Sequence, residues 1–158
     1  MPVQIRAATS ADVPVIFRFV RDLATFEKLI DEVEATEEKL TATLFGPAPV
    51  AECILAFGDD HEPAGFAIFF KSYSTFLARP GLYLEDLFVR PEYRSRGIGK
   101  ALLTYLASLA NQRNYGRVEW SVLDWNTAAI AFYESFGARR LREWQICRLS
   151  GPDLAAYR

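Results

Sequence analysis

The stretch Leu84-Glu85-Asp86-Leu87-Phe88-Val89-Arg90-Pro91-Glu92-Tyr93-Arg94-Ser95-Arg96-Gly97-Ile98-Gly99-Lys100 carries the most information in this chain. An apolar, strand-like run passes through a proline-marked turn into a glycine loop that opens a helix. Gly97 and Gly99 have no Cβ, so the backbone there can approach an anion closely. The unpaired N–H groups of the first helical turn and the positive end of the helix dipole would face that anion. Arg94, Arg96 and Lys100 add full positive charges. The segment therefore reads as a phosphate-binding helix N-terminus, with a glycine-softened turn carrying ordinary basic residues as the competing explanation.

Two familiar phosphate loops fail position by position. A P-loop built on Gly99-Lys100 needs glycine at 94 and Ser or Thr at 101, where Arg94 and Ala101 stand. A Rossmann fingerprint starting at Gly97 needs a small residue at 102, which is Leu102. A pyrophosphate loop of another kind remains.

The 158 residues, 51% of them hydrophobic, suit one folded domain with a substantial core. No apolar run reaches the roughly 20 residues that span a bilayer, and the N-terminus lacks signal-peptide organisation, so a cytoplasmic protein without a membrane partner is expected. Cys53 and Cys147 sit in apolar runs and are expected to be buried thiols, with neither a disulfide framework nor a zinc spacing. The lone His61 lies in a polar turn, which leaves a metal site or a Ser-His triad without support. Net charge is −2, but it is segregated. Glu27, Asp31, Glu32, Glu34, Glu37 and Glu38 oppose only Lys28, whereas Arg90, Arg94, Arg96 and Lys100 oppose only Glu92. Such segregation suits an anionic cofactor at one end and a cationic substrate at the other, although two solvated helix faces would look the same. The basic segment is too short, in a slightly acidic chain, to indicate nucleic acid.

Along the chain, residues 3–7 read as a strand and Thr9-Ser10-Ala11-Asp12 as a capping box. The helix that follows carries Val13, Ile16, Phe17, Val20, Leu23 and Ala24 on one stripe. A second helix is predicted over 36–45, stopped by Gly46-Pro47. Strands over 52–57, 65–73 and 82–89 form a meander. Beyond the glycine loop come an amphipathic helix ending near Asn114, a strand over 117–122, a short helix over 127–136 stopped by Gly137, and a last strand over 140–149. No linker or repeat interrupts this order. The expected fold is α/β: a single domain over 1–158, with a mixed, mostly antiparallel central sheet flanked by about four helices.

With the strand, the Arg-x-x-Gly-x-Gly loop and Asn126-Thr-Ala-Ala-Ile-Ala-Phe-Tyr133-Glu-Ser-Phe-Gly137 in order, the chain resembles the GCN5-related N-acetyltransferases over nearly its whole length. It is most similar to the spermidine/spermine (diamine) N-acetyltransferase group, through Ile5-Arg-Ala-Ala-Thr9, Leu23-Ala-Thr-Phe-Glu27, Tyr83-Leu-Glu-Asp86, Tyr93-Arg94, Gly97-Ile-Gly99 and Trp125-Asn126. The resemblance implies direct transfer of acetyl from acetyl-CoA to a primary amine. The acceptor would be a small cationic molecule, a polyamine or diamine or a lysine-like amino acid. It also implies a homodimer, and the cysteine spacing and lone His61 above predict no metal.

That chemistry sets three demands. A fixed donor must meet the thioester oxygen as it gains charge, and the resemblance assigns a backbone N–H on the strand containing Leu87. Leu87, Phe88 and Val89 would also pair with the pantetheine arm as an added strand does. Arg94, Ser95, Arg96, Gly97, Ile98, Gly99 and Lys100 would hold the pyrophosphate, and Asn126 and Ala129 would complete the cofactor contacts. An amine that is mostly protonated near pH 7 needs a base. Glu85 is the candidate, and Asp86 is the alternative if a bulge changes which carboxylate faces the acceptor. The departing thiolate needs an acid, and Tyr133, a phenol protonated at neutral pH, stands where the family places it. Phe26, Glu27, Glu85, Glu119, Trp120 and Ser121 align with acceptor positions. Two other readings share these letters: an acetyltransferase acting on protein lysines or N-termini, and a non-catalytic acyl-CoA-binding sensor.

Overall fold

A computed structural model describes residues 2–158. Its five strands are β1 (Gln4–Ala7), β2 (Glu52–Phe57), β3 (Pro63–Ser74), β4 (Arg79–Val89) and β5 (Val118–Trp120). They lie in the spatial order β1-β2-β3-β4-β5. The first four pair antiparallel, β2 to β4 through short turns and β1 to β2 across the long helical connection over 8–51, and β5 joins β4 in parallel. A parallel neighbour demands a crossover. Here the crossover is the glycine loop followed by helix α3 (Ile98–Gln112), so the sequence order strand, loop, helix, strand forces the loop to the end of β4.

Helices α1 (Val13–Phe26) and α2 (Glu37–Phe45) cover one face of the sheet. Their Ile16, Phe19 and Leu44 form a core with Cys53, Leu55, Phe66, Ile68 and Phe88. Phe19 is fully buried, its ring 5.5 Å from that of Phe66 and 6.0 Å from that of Phe88. The stripe of α1 is thus centred on Phe19 and not on Phe17, which is half-buried. On the opposite face α3 buries Leu102, Leu103, Leu106 and Ala110. Asp12 fixes the entry to α1. Its carboxylate accepts the Thr9 N–H at 2.7 Å and a bidentate Arg6 at 2.7 and 2.9 Å, which holds its pKa down at about 2. Thr36 caps α2 by accepting the Lys39 N–H at 3.1 Å.

Residues up to Ser121 form one compact unit and Val122–Arg158 a second. The second contains α4 (Thr127–Ser135) and α5 (Gly151–Ala155); α5 has no forecast in the sequence. The expected strand over 140–149 is not formed. Its alternating apolar residues would need a hydrogen-bonding edge. Among the described residues this segment belongs to no ladder, and its one backbone bond is a local turn from Trp144 N–H to Leu141 O at 3.3 Å. Trp144, Ile146 and Leu149 are accordingly exposed, and so is Cys147, contrary to its expected burial. Cys53 is buried as expected, its thiol pushed up to about 12 by desolvation and by Asp12 and Asp86. No helix among the described residues is long and apolar enough to cross a membrane.

Candidate active site

The loop between β4 and α3 is built on a buried tyrosine. After a proline-initiated turn (Pro91–Tyr93), the Tyr93 hydroxyl donates to the Asp60 carboxylate across the sheet end. Its ring lies so close to Gly58 that a Cβ there would come within 2.5 Å of it. The guanidinium carbons of Arg90 and Arg96 stack at 5.1 and 5.5 Å from the Tyr93 ring centre, and Arg90 pairs with Glu92. Ser95 (φ 63°) and Gly97 (φ 80°) then take left-handed conformations, and Gly97 is the N-cap of α3. Alternation of this kind turns successive N–H groups to one concave side, and the first amides of a helix have no intrahelical acceptor. A Cβ at Gly97 would meet nothing within 4 Å, so glycine is required there by φ and not by space. Ile98 is buried and anchors the first turn of α3, while Ser95, Arg96 and Lys100 are exposed. Gly97 and Lys100 also border a cleft of about 700 Å³ between β1 and α3.

Arg94 behaves differently from its neighbours. Its Nε donates to the Val89 carbonyl at 2.8 Å. Its guanidinium carbon lies 4.9 Å from the centre of the Phe26 ring and 5.6 Å from that of Phe88.

Upstream, β4 contains a bulge. Asp86 pairs with Ile68 but Leu84 pairs with Phe69, so Glu85 is an extra residue in the strand. Phe69 and Ala67 face one side of the sheet, hence Leu84 and Leu87, their partners, face it too although three residues apart. Asp86 falls on the other side, in a row with Ile68 and Cys53 beneath α1 and α2. Its carboxyl is raised to about 7, by burial first, then by the charges of Glu85 and Glu27. Glu27, the C-cap of α1, is itself raised by desolvation, whereas Glu85 is exposed. The bulge foreseen as the feature that would decide between Glu85 and Asp86 is therefore present, and it leaves Asp86 as the half-buried carboxyl.

The bulge also marks where β4 and β5 part. β5 pairs with β4 only over Leu82, Tyr83 and Leu84. From Glu85 to Val89 no described strand pairs with that edge of β4. Arg90 N–H turns toward β3, donating to Ala64 O at 2.8 Å. By alternation the N–H and C=O groups of Leu87 and Val89 turn to the open edge, and those of Phe88 do not. Phe88 contributes its ring to the core instead.

Of the other acceptor residues expected from sequence, Phe26 is exposed at the end of α1. Glu119 pairs with Tyr83 on the α1 and α2 side of the sheet and holds Arg117 at 3.0 Å. Ser121 lies 3.0 Å from the Tyr83 hydroxyl. Trp120 pairs with Leu84 and so faces the α3 side, away from Glu119. Tyr83 and Phe70, with ring centres 5.2 Å apart, extend the carboxylate side of the sheet as an aromatic wall. The sequence reading missed them because apolar or phenolic strand residues carry no chemical signature of their own.

In the second unit Asn126 is the N-cap of α4, its Oδ1 accepting the Ala129 N–H at 3.2 Å. That capping role explains both residues locally and leaves the Asn126 carboxamide NH₂ as its donor for a cofactor. Tyr133 is half-buried on α4, its ring 5.5 Å from that of Phe132.

The left-handed glycine loop at a helix N-terminus, placed directly after a bulged strand that parts from its parallel neighbour, lies within a stretch that a family model matches. The acetyltransferase (GNAT) family model matches residues 17–138. The chain belongs to the GNAT family. It is 37% identical to an L-ornithine N5-acetyltransferase of Arabidopsis thaliana, covering 97% of this chain and 86% of that protein. It is 39% identical to a thialysine N-epsilon-acetyltransferase of Bos taurus, covering 96% and 95%. Among solved structures, an integron cassette protein from the mobile metagenome of V. cholerae superposes with a TM-score of 0.81 at 27% identity, over 99% of this chain and 98% of that one. This GNAT protein is an N-acetyltransferase, and the family's acetyl donor is acetyl-CoA. The spermidine/spermine resemblance is also met, at 32% identity over 96% of this chain, by a human spermidine/spermine N(1)-acetyltransferase-like protein 1. This chain spans only 23% of that longer protein.

Proposed function

We propose that this enzyme, working as one acetyltransferase domain over 1–158, acetylates a primary amine of a small cationic acceptor, a diamine or polyamine or a basic amino acid. One observation carries the reading: a half-buried carboxyl raised to about 7, Asp86, feels the charges of two further carboxylates, Glu85 and Glu27, at the point where β4 opens. Glu27 and Glu85 attract the ammonium group, and Asp86 removes its proton. For an amine of pKa about 10.4, that transfer costs about 5 kcal/mol to a carboxylate of pKa near 7 and about 9 to an unperturbed aspartate. Only the smaller cost fits comfortably inside the barrier of about 16 kcal/mol for a turnover near 10 s⁻¹. Glu85, more exposed, is assigned to cation binding in this scheme, and Asp86 takes the base role first sought at Glu85.

The residues present fit an acetyl-CoA donor, which supplies the acetyl thioester. The N–H groups of the Ser95–Lys100 loop suit a pyrophosphate, with Arg96 and Lys100 as its counter-charges. The open-edge groups of Leu87 and Val89 suit a pantetheine amide, and one of those N–H groups suits the developing oxyanion. Asn126 is assigned to the cofactor and Tyr133 to protonation of the leaving sulfur, both on their places in the family motif. Tyr83, Phe70, Glu119 and Ser121 are assigned to the distal part of the acceptor. A homodimer is assigned on the family resemblance alone, and a cytoplasmic location on the sequence pattern alone.

The test is thiol release from acetyl-CoA across diamines, polyamines, ornithine, lysine and its thia analogue. Turnover of at least one of these above hydrolysis is expected. Turnover only on lysine-bearing peptides would replace this reading with protein acetylation, and no turnover with retained CoA binding would replace it with a sensor.

A further inference from the structure

Arg94 is exposed like the other charges of its loop, but its side chain is already engaged by the protein. Its Nε is committed to the Val89 carbonyl at 2.8 Å, and its guanidinium lies against Phe26 and Phe88. Each partner belongs to a different part of the site. Val89 ends the open edge of β4, and its carbonyl points outward there, so Arg94 takes up the last acceptor on that edge. Phe88 belongs to the core, in ring contact with Phe19. Phe26 is the final residue of α1, immediately before Glu27, whose charge reaches Asp86. Arg94 itself begins the Ser95–Lys100 loop. One planar group thus joins the end of α1, the end of β4 and the start of the cofactor loop. Lysine cannot substitute, because it lacks both the flat face that stacks and an Nε donor held at that angle.

We infer that Arg94 is a positioning residue that latches the acceptor-bearing end of α1 to the cofactor loop, so that the two substrate sites are energetically coupled through Phe26. This rests on the reading of Glu27 and Asp86 as acceptor groups. Ordering the loop around an anion fixes Arg94, which holds Phe26 and therefore sets where Glu27 stands relative to Asp86. Reciprocity requires the converse: an acceptor that fixes Glu27 tightens the loop. An exposed cation–π contact is worth about 0.5–1 kcal/mol, a coupling of about two- to fivefold.

The test is a cycle of Phe26→Leu, Arg94→Gln and the double variant. CoA dissociation constants are measured by calorimetry without amine, and the amine KM and kcat by thiol release. The latch predicts crossed effects. Phe26→Leu, a change at the end of α1, weakens CoA binding about two- to fivefold. Arg94→Gln raises the amine KM, and the double variant is no worse than the poorer single one in either measurement. Arg94→Lys, which keeps the charge, fails to restore the amine KM. The inference is overturned if Phe26→Leu leaves CoA binding unchanged, if Arg94→Gln alters CoA binding alone, or if Arg94→Lys restores both constants, which would make Arg94 a plain counter-charge. Should Arg94→Gln melt before assay temperature, Phe26→Leu read through CoA affinity decides alone. Failure of the acceptor reading is separate: it would show as Glu27→Gln and Asp86→Asn variants whose amine KM and kcat match the parent enzyme, whatever the CoA result.

Discussion

Asp86 owes its chemistry to neighbours and not to its own type. An aspartate in water ionises near 3.9, and burial together with Glu85 and Glu27 raises this one to about 7. Because the folded-state value lies above the unfolded one, the native state binds more protons between pH 4 and 7, and stability falls as pH rises through that window. Asp86→Asn should therefore raise the melting temperature at pH 8 while changing it little below pH 4, readable by calorimetry at the two values. The same substitution should remove the limb near pH 7 from the kcat/KM profile and lower kcat by about 10²–10⁴, the range for loss of a general base. If the limb survived in Asp86→Asn and vanished in Glu85→Gln, the base would be Glu85. Tyr133→Phe, with the ring retained, should lower kcat at least tenfold, on the same general-acid scale, and leave CoA affinity within about twofold, measured by calorimetry. An unchanged kcat would take Tyr133 out of the chemistry.

At the scale of elements, the strand, loop and helix around Gly97 were legible because their signals are local. Apolar β4, Pro91, two glycines and the α3 stripe each report on their own few residues. The carboxylate geometry was only half legible. Two adjacent acids in a strand announce opposite faces, and the bulge that shifts the register arises from pairing between β3 and β4, which no local pattern records. The strand expected over 140–149 failed for a related reason, since its apolar alternation says nothing of which edge would bond it. Trp120 and Glu119, both expected among the acceptor residues, lie on opposite faces of the sheet, as their pairing with Leu84 and Tyr83 shows. The loop offers a clean test of a local requirement. Gly97→Ala meets no clash, so its cost is that of holding an L-residue at φ 80°, about 1–2 kcal/mol. If the loop relaxes to avoid this cost, the amides turn away from the pyrophosphate. CoA affinity should then fall about tenfold or more while the sheet core stays intact, seen as an unchanged far-ultraviolet spectrum. Unchanged affinity would mean that the left-handed turn is not needed for the anion.

At the scale of the molecule, a net charge of −2 conceals opposite fields at two parts of one sheet end. Arg96 and Lys100 stand exposed at the α3 terminus, while Glu27, Glu85 and Asp86 gather at the end of α1 and the bulge of β4. Separated fields of this kind draw an anionic donor and a cationic acceptor to different entrances and disfavour the reverse placement. Both attractions are between partly solvated charges and so are screened, with the Debye length falling from about 10 Å at 0.1 M salt to about 3 Å at 1 M. Raising ionic strength across that range should therefore increase the KM for the acceptor, more steeply for a dication or trication than for a monoamine of equal length. It should leave kcat nearly unchanged, because the proton transfer proposed for Asp86 takes place at contact distance in a half-buried position where screening is weak. Steady-state kinetics on a homologous series of mono-, di- and triamines at fixed saturating acetyl-CoA reads this directly. Equal salt slopes across the series would mean that the distal part of the acceptor meets no carboxylate. That result would restrict recognition to the reacting amine and remove Glu119 and its Tyr83 wall from the acceptor site.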